Sequence, residues 1–241
     1  MDRVIYTAMT GAKSTLGQQA AVAHNLANAD STGFRTEMHK MRAVEVQTQA
    51  MRSRSFVVDA SIATDFTPGP LKFSGNPFDV AVKGKGWFAV QTANGEAYTR
   101  DGSFEVSANG VLQTHAGLPV LGDGGPIAIP PESVIVIGAD GTISAIQNRI
   151  TNEVGRLKLV NPPESELVRG EDGFFRLKDG QVALADEAVK VAGGYLESSN
   201  VNVAEQMVQM ISLARQFEMQ VRMISNAQEN DRSATQVIAP R

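Results

Sequence analysis

NLANADSTGFR, residues 25–35, sets a dense cluster of turn formers at the end of a helical run. Asn28, Asp30, Ser31 and Thr32 carry short polar side chains that compete for nearby backbone groups, and Gly33 admits a positive φ. Upstream, Ile5, Met9, Ala12, Leu16, Ala23 and Leu26 keep a 4, 3 spacing with Gln19 as the one polar break. That is the pattern of an amphipathic helix. Gly11 and Gly17 each weaken it by about 1 kcal/mol relative to alanine. The quoted stretch therefore reads as the end of a terminal helix. Asn25, Asn28 and Thr32 are candidates to cap or hydrogen-bond the turn, Gly33 to supply a left-handed residue, and Phe34 to anchor the departing chain.

The opposite end carries a longer seam. Val203, Met207, Met210, Ala214, Phe217, Val221 and Ile224 are spaced 4, 3, 4, 3, 4, 3, three heptads of a coiled-coil-like stripe. Asn202 followed by Glu205 resembles a capping box with Asn in place of Ser or Thr. A helix over about 202–237 would be roughly 50 Å long at 1.5 Å per residue.

Between the ends the chemistry changes. Of 22 glycines, 15 fall between Gly84 and Gly180. Asn-Gly and Asp-Gly pairs at 94–95, 101–102, 109–110, 140–141, 172–173 and 179–180 supply the turns of tight hairpins. Runs such as FDVAVKG, GWFAVQT and SVIVIGADGTIS alternate between them, which predicts an antiparallel β-rich domain over about 76–190. Residues 36–75 begin polar (MRAVEVQTQAMRSRS) and end with the prolines of FTPGPLKFSGNP, so an extended linker with irregular strands is expected. The predicted fold class is α+β. It comprises an N-terminal helix (1–35), the linker (36–75), the β-rich domain (76–190) and a C-terminal helix region (191–241), with the two helices forming a coiled-coil-like pair.

Composition narrows the function. The net charge of −4 speaks against a nucleic-acid binder working through a basic field. The absence of cysteine excludes disulfides and thiolate chemistry. No window reaches 18 consecutive apolar residues, so no membrane span is expected, and the N-terminus lacks the pattern of a cleaved secretory signal. His24, His39 and His115 have no metal-ligand spacing. VKGKGWF lacks the full phosphate-loop pattern, ADGT at 139–142 lacks the remaining oxygens of a calcium loop, and Glu164 with Glu166 follows Pro162-Pro163 in a loop. Trp87 beside Phe88 would place one aromatic in the core and the other outward. No catalytic constellation, cofactor site, metal site or small-molecule substrate is predicted.

A two-helix pair has one buried seam, and the small residues of the first helix bury little area at about 25 cal/mol per Å². Ordering the backbone costs about 1–2 kcal/mol per residue. Two arrangements follow: an intrachain pair resting on its own β domain, or seams completed by neighbouring copies.

Three segments carry a resemblance. AHNLANADSTGFR resembles the N-terminal signature of the flagellar rod and hook protein family, close to ANNLANxxTxGFK, with His24 at the first of its two asparagines. GYLESSNVNVAEQMVQM resembles the family's G-x-LE-x-SNVN entry into a long helix, and FDVAVKGKGWFAVQTANGEAYTRDGSFEVSANGVLQTHAGLPVLG its shared central domain. Within the family, MDRVIYTAMTGA and TDFTPGPLKFSGNPFDVAV look most like proximal rod subunits, with distal rod and hook-type axial proteins the nearest alternative. The resemblance implies a non-enzymatic structural subunit of the bacterial flagellar basal body, in the periplasmic part of the rod. It implies partnership with other copies of itself and other rod proteins, and passage through the flagellar type III export apparatus without a cleaved signal. The expected assembly residues are Leu16, Ala23 and Leu26 from one end and Met207, Met210, Ala214, Phe217, Val221 and Ile224 from the other, with Asn25, Asn28, Thr32, Gly33 and Phe34 at the turn. A different class, a β-domain recognition module on a helical stalk, would need an aromatic-lined groove from a chain only 6% aromatic.

Overall fold

The computed structural model describes the backbone of residues 2–45 and 55–238 and, within these, the side chains of 5–39, 63–230, 232 and 233. Residues 46–54, in the polar half of the expected linker, lie outside the described residues. Helix α1 spans Asp2–Ala27 and helix α2 spans Val203–Ile238, so the architecture is α+β with a helix at each end and strands between. α1 stops where the turn formers begin: the carbonyl of His24 accepts from both the backbone N–H of Asn28, at 3.1 Å, and its side-chain amide, at 2.9 Å. α2 starts on Asn202, whose side-chain oxygen accepts from the N–H of Glu205 at 3.3 Å, as the cap reading predicts.

The chain forms two compact units, one of Met1–Ala29, Thr36–Asp65 and Val201–Arg241, the other of Asp30–Arg35 and Phe66–Asn200. In the first unit, strands β1 (Glu37–Glu45) and β2 (Ser55–Thr64) pair antiparallel from Glu37↔Thr64 to Glu45↔Ser55, with a register shift between Lys40 and Met41. Residues 37–45 and 55–64 of the stretch read as an irregular linker are thus two paired antiparallel strands. The β-branched and aromatic run SFVV supplies strand propensity that the charge-rich surroundings conceal.

α1 and α2 contact each other and α1 contacts the hairpin within this unit. Among the described residues the buried positions of α1 are Ala8, Thr15, Ala21, Val22 and Asn25; of these, Ala8, Thr15 and Val22 form a seven-residue repeat one position before Met9, Leu16 and Ala23. On α2 the buried positions are Gln206 and Leu213. The face covered within the chain is therefore offset from the stripe read off the apolar spacing. Counting apolar residues overlooks Gly11, Thr15, Asn25 and Gln206, which allow close approach and hydrogen bonds.

The second unit begins with β3 (Leu71–Phe73), β4 (Val80–Lys83), β5 (Trp87–Thr92) and β6 (Gly95–Thr99). Next come β7 (Phe104–Val106), β8 (Leu112–Thr114), β9 (Leu121–Gly122) and β10 (Gly125–Pro126). β11 (Val134–Ile137), β12 (Thr142–Gln147) and β13 (Ile150–Arg156) form a three-stranded antiparallel sheet. β14 (Leu159–Val160), β15 (Leu167–Arg169) and β16 (Phe175–Leu177) join β5 and β6 in a five-stranded sheet of order β14-β5-β6-β16-β15. β17 (Lys190–Gly193) pairs with β4, and β18 (Tyr195–Glu197) pairs with β3, so strand structure continues past residue 190 to the threshold of α2.

Both faces of the β5–β6 hairpin are covered. Phe88 and Val90 point into one apolar cluster with Val80, Phe104, Leu112 and Ile143, while Trp87, Ala89 and Tyr98 enter a second with Val160 and Phe175. Trp87 and Phe88 are therefore both core, on opposite faces. The expectation that one of the two stands outward is therefore corrected: alternation puts them on opposite faces, and each face has a cover.

Candidate assembly site

Residues 30–35 cross the second unit as a short strap held by β18 and its flank. The N–H of Gly33 donates to the carbonyl of Glu197 at 2.8 Å, and the N–H of Asn200 donates to the carbonyl of Phe34 at 3.4 Å. Gly33 has φ +67°, and a Cβ there would lie 2.3 Å from the carbonyl carbon of Arg100. Only glycine meets both the left-handed backbone and that approach. Phe34 is buried, with the Arg169 guanidinium 4.6 Å from its ring centre, and Arg169 also donates to the carbonyl of Arg35 at 3.3 Å.

Beneath the strap lies a buried ionic cluster. Glu197 is fully buried and accepts from Arg35 at 2.6 Å and from Arg100 at 2.9 Å, each guanidinium addressing a different carboxylate oxygen. The backbone N–H of Gly69 donates to the same carboxylate at 2.9 Å, and Arg100 also donates to the carbonyl of Gly84. Burial pulls the Arg100 pKa down to about 10, against the attraction of Glu197 and with added repulsion from Arg35. Sequence reasoning missed all three charged residues. The available signal was weak: Arg35 follows Phe34 and Glu197 follows Leu196, and a charge beside a residue bound for the core is costly if unpaired, while Arg100, between Thr99 and Asp101, offered no such cue.

In the first unit, Asn25 is buried and treats β1 as a strand would. Its side-chain amide donates to the carbonyl of Glu37 at 2.8 Å and its oxygen accepts from the N–H of Glu37 at 2.8 Å. The same amide reaches Gln206 Oε1 on α2 at 3.3 Å. His24, at the variant signature position, lies 3.0 Å from the Glu37 carboxylate through Nδ1. Thr15 Oγ1 lies 3.3 Å from Gln220 Oε1 and also donates to the carbonyl of Gly11 at 3.0 Å.

The sequence-predicted residues fall into three groups. Asn25, Gly33 and Phe34 hold the fold as described, and Asn28 closes the helix; Thr32 is half-buried in the strap. Leu26, Met210, Ala214, Phe217 and Ile224 are half-buried. Leu16 (49% exposed), Met207 (50%) and Val221 (46%) stand outward, as does Ala23. Further apolar side chains join them outward: Met9 on α1, and Val208, Ile211, Met219 and Met223 on α2. Among the described residues no group of three or more His, Asp or Glu side chains is placed to hold a metal ion, and no helix is long and apolar enough to cross a membrane. Glu164 is engaged with Lys85 at 3.1 Å, and His115 lies 3.2 Å from Glu105.

Comparison with known proteins places these features in one family. Residues 5–35 match the family model described as "Flagella basal body rod protein", residues 81–145 that of "Flagellar hook protein FlgE/F/G D1 domain", and residues 192–237 that of "Flagellar basal body rod FlgEFG protein C-terminal". The chain is 46% identical over 251 aligned positions to the flagellar basal-body rod protein FlgF of Escherichia coli (strain K12), covering 99% of each chain. It is 44% identical to FlgF of Salmonella typhimurium, again covering 99% of each, and 34% identical to FlgF of Caulobacter vibrioides, covering 98% of each. FlgG of Buchnera aphidicola (Schizaphis graminum) is 28% identical. With its turn signature and buried strap inside the matched segments, and its full-length relatives covering 98–99% of the chain, the chain belongs to the flagellar basal-body rod protein family, close to FlgF.

Proposed function

We propose that this chain is a structural subunit of the proximal rod that polymerises, with copies of itself and with other rod proteins, through its two terminal helices. The observation that carries the reading is the apolar stripe left outward on each helix: Met9 and Leu16 on α1, and Met207, Val208, Ile211, Met219 and Val221 on α2. Outward apolar rows of this length on two neighbouring helices are costly in water and suit an interface. In a helical assembly one patch of each subunit meets a different patch of the next, so contacts are heterologous and need no self-complementary face. The helices form a coiled-coil-like pair in which one side is closed within the chain and the other by neighbours. Four methionines among the outward residues of the two helices, Met9, Met207, Met219 and Met223, adapt to non-identical partners, which suits a subunit set between different rod components. Passage through the type III export apparatus and residence in the periplasmic part of the rod complete the reading, on the strength of the family.

The test is substitution of the outward row. Leu16→Glu with Met207→Glu should leave the circular dichroism and thermal transition of the purified protein close to those of the parent, yet abolish recovery of the chain in basal bodies and swimming in a strain lacking the parent. Normal incorporation with both charges present would reject the helices as the assembly surface.

A further inference from the structure

We propose that two polar contacts between α1 and α2, Asn25 with Gln206 and Gln220 with Thr15 over Gly11, set the register of the terminal helix pair. The geometry behind this is regular. Gly11 and Asn25 are two heptads apart on α1, Gln206 and Gln220 are two heptads apart on α2, and the helices run antiparallel so that the pairs face. Each pair of contacts is thus separated by about 21 Å of helix. Asn25 and Gln206 are both buried, and their amides meet at 3.3 Å. At the other end, Gln220 Oε1 lies 3.3 Å from the buried Thr15 hydroxyl. A Cβ at position 11 would fall 3.0 Å from Gln220 Nε2, so glycine there makes room for the amide.

These contacts do little for affinity and much for uniqueness. A seam made of Ala8, Leu213 and similar residues accepts a slide of one heptad with little penalty, because one small apolar residue replaces another. A buried amide does not, since sliding leaves it without a partner in an apolar layer. Asn25 is moreover fixed in place by its two bonds to the Glu37 backbone, so it acts as a stationary mark against which α2 is measured. The Asn25 position lies within the N-terminal signature and Gln206 follows the SNVN entry, so one polar contact is anchored close to where each helix begins its course away from the hairpin. The consequence for assembly rests on the rod-subunit reading: register decides which apolar row faces outward, and hence which neighbours fit.

The chain has no cysteine, so paired cysteines report register without interference. In the full-length protein, Thr15→Cys with Gln220→Cys removes one of the two contacts and leaves Asn25 with Gln206 to hold the register; that pair should cross-link readily under mild oxidation, and Thr15→Cys with Leu213→Cys, one heptad away, at least tenfold more slowly. Adding Gln206→Leu, which spares the Asn25–Glu37 bonds, should bring the two rates within about threefold of each other. Unchanged selectivity after Gln206→Leu would overturn the proposal, and so would failure of the 15–220 pair to close faster than the 15–213 pair while Gln206 is intact. Recovery of the Gln206→Leu chain in basal bodies is scored separately. Loss of selectivity with normal incorporation leaves register control standing and counts against the rod reading built on it.

Discussion

Arg35 and Glu197 are 162 positions apart in the chain and 2.6 Å apart in the fold, both without solvent contact at their side chains. The contact joins the last residue of the N-terminal strap to the last residue of β18, six positions before α2 begins. Arg100 holds the second oxygen of the same carboxylate. Glu197→Gln keeps the shape and removes the charge that neutralises two buried guanidiniums. We predict a loss of about 3–5 kcal/mol, read as a lower urea midpoint, with the denaturant slope unchanged.

Gly33→Ala tests the strap directly. The substitution forces a side chain into φ +67° and against the Arg100 backbone, an obstacle that cannot rotate away. The left-handed conformation alone costs about 1–2 kcal/mol, and the clash adds to it, so the predicted loss exceeds 2 kcal/mol by about as much again. Thermal melts of the purified variant measure it; a melt within 2 °C of the parent would refute the placement of Gly33.

These two residues also mark how far the sequence could be read. Periodicity revealed both helices, and the Asn-Gly and Asp-Gly pairs revealed the β-rich middle, because those signals are local. Gly33 was legible for the same reason. The Arg35–Glu197–Arg100 cluster was not, since partners this distant in sequence leave no spacing to detect. The face of α1 covered within the chain lies one position from the apolar stripe and was not legible, because its defining residues, Gly11, Thr15 and Asn25, are small or polar. The β1–β2 hairpin was hidden by charged residues on strands that also carry Val and Phe.

Alkaline stability isolates Tyr98. Burial raises its pKa from 10.0 to about 12, although its oxygen accepts from the N–H of Ala183 at 2.7 Å, which works in the opposite direction. A folded-state value above the unfolded one means its contribution is complete below pH 10 and is lost as pH rises from 10 to 12, up to about 2–3 kcal/mol. Arg100, held down to about 10, moves the other way over the same range, its burial cost fading as it loses its proton. The difference between parent and Tyr98→Phe separates them. Tyr98→Phe should be less stable at neutral pH by about 1–3 kcal/mol, for the lost hydrogen bond, with the gap closing between pH 10 and 12. A gap that stays constant across that range contradicts the raised pKa.

The central claim is that neighbouring subunits cover the outward apolar rows of α1 and α2. Since the chain lacks cysteine, Leu16→Cys and Met207→Cys each carry a single reactive thiol, and its rate of maleimide labelling reports its exposure. The measurement compares that rate in the free protein and in purified basal bodies. The account predicts ready labelling of both positions in the free protein, where the native residues are about half exposed, and at least tenfold slower labelling of both in the assembled rod. Equal rates in the two states would contradict it.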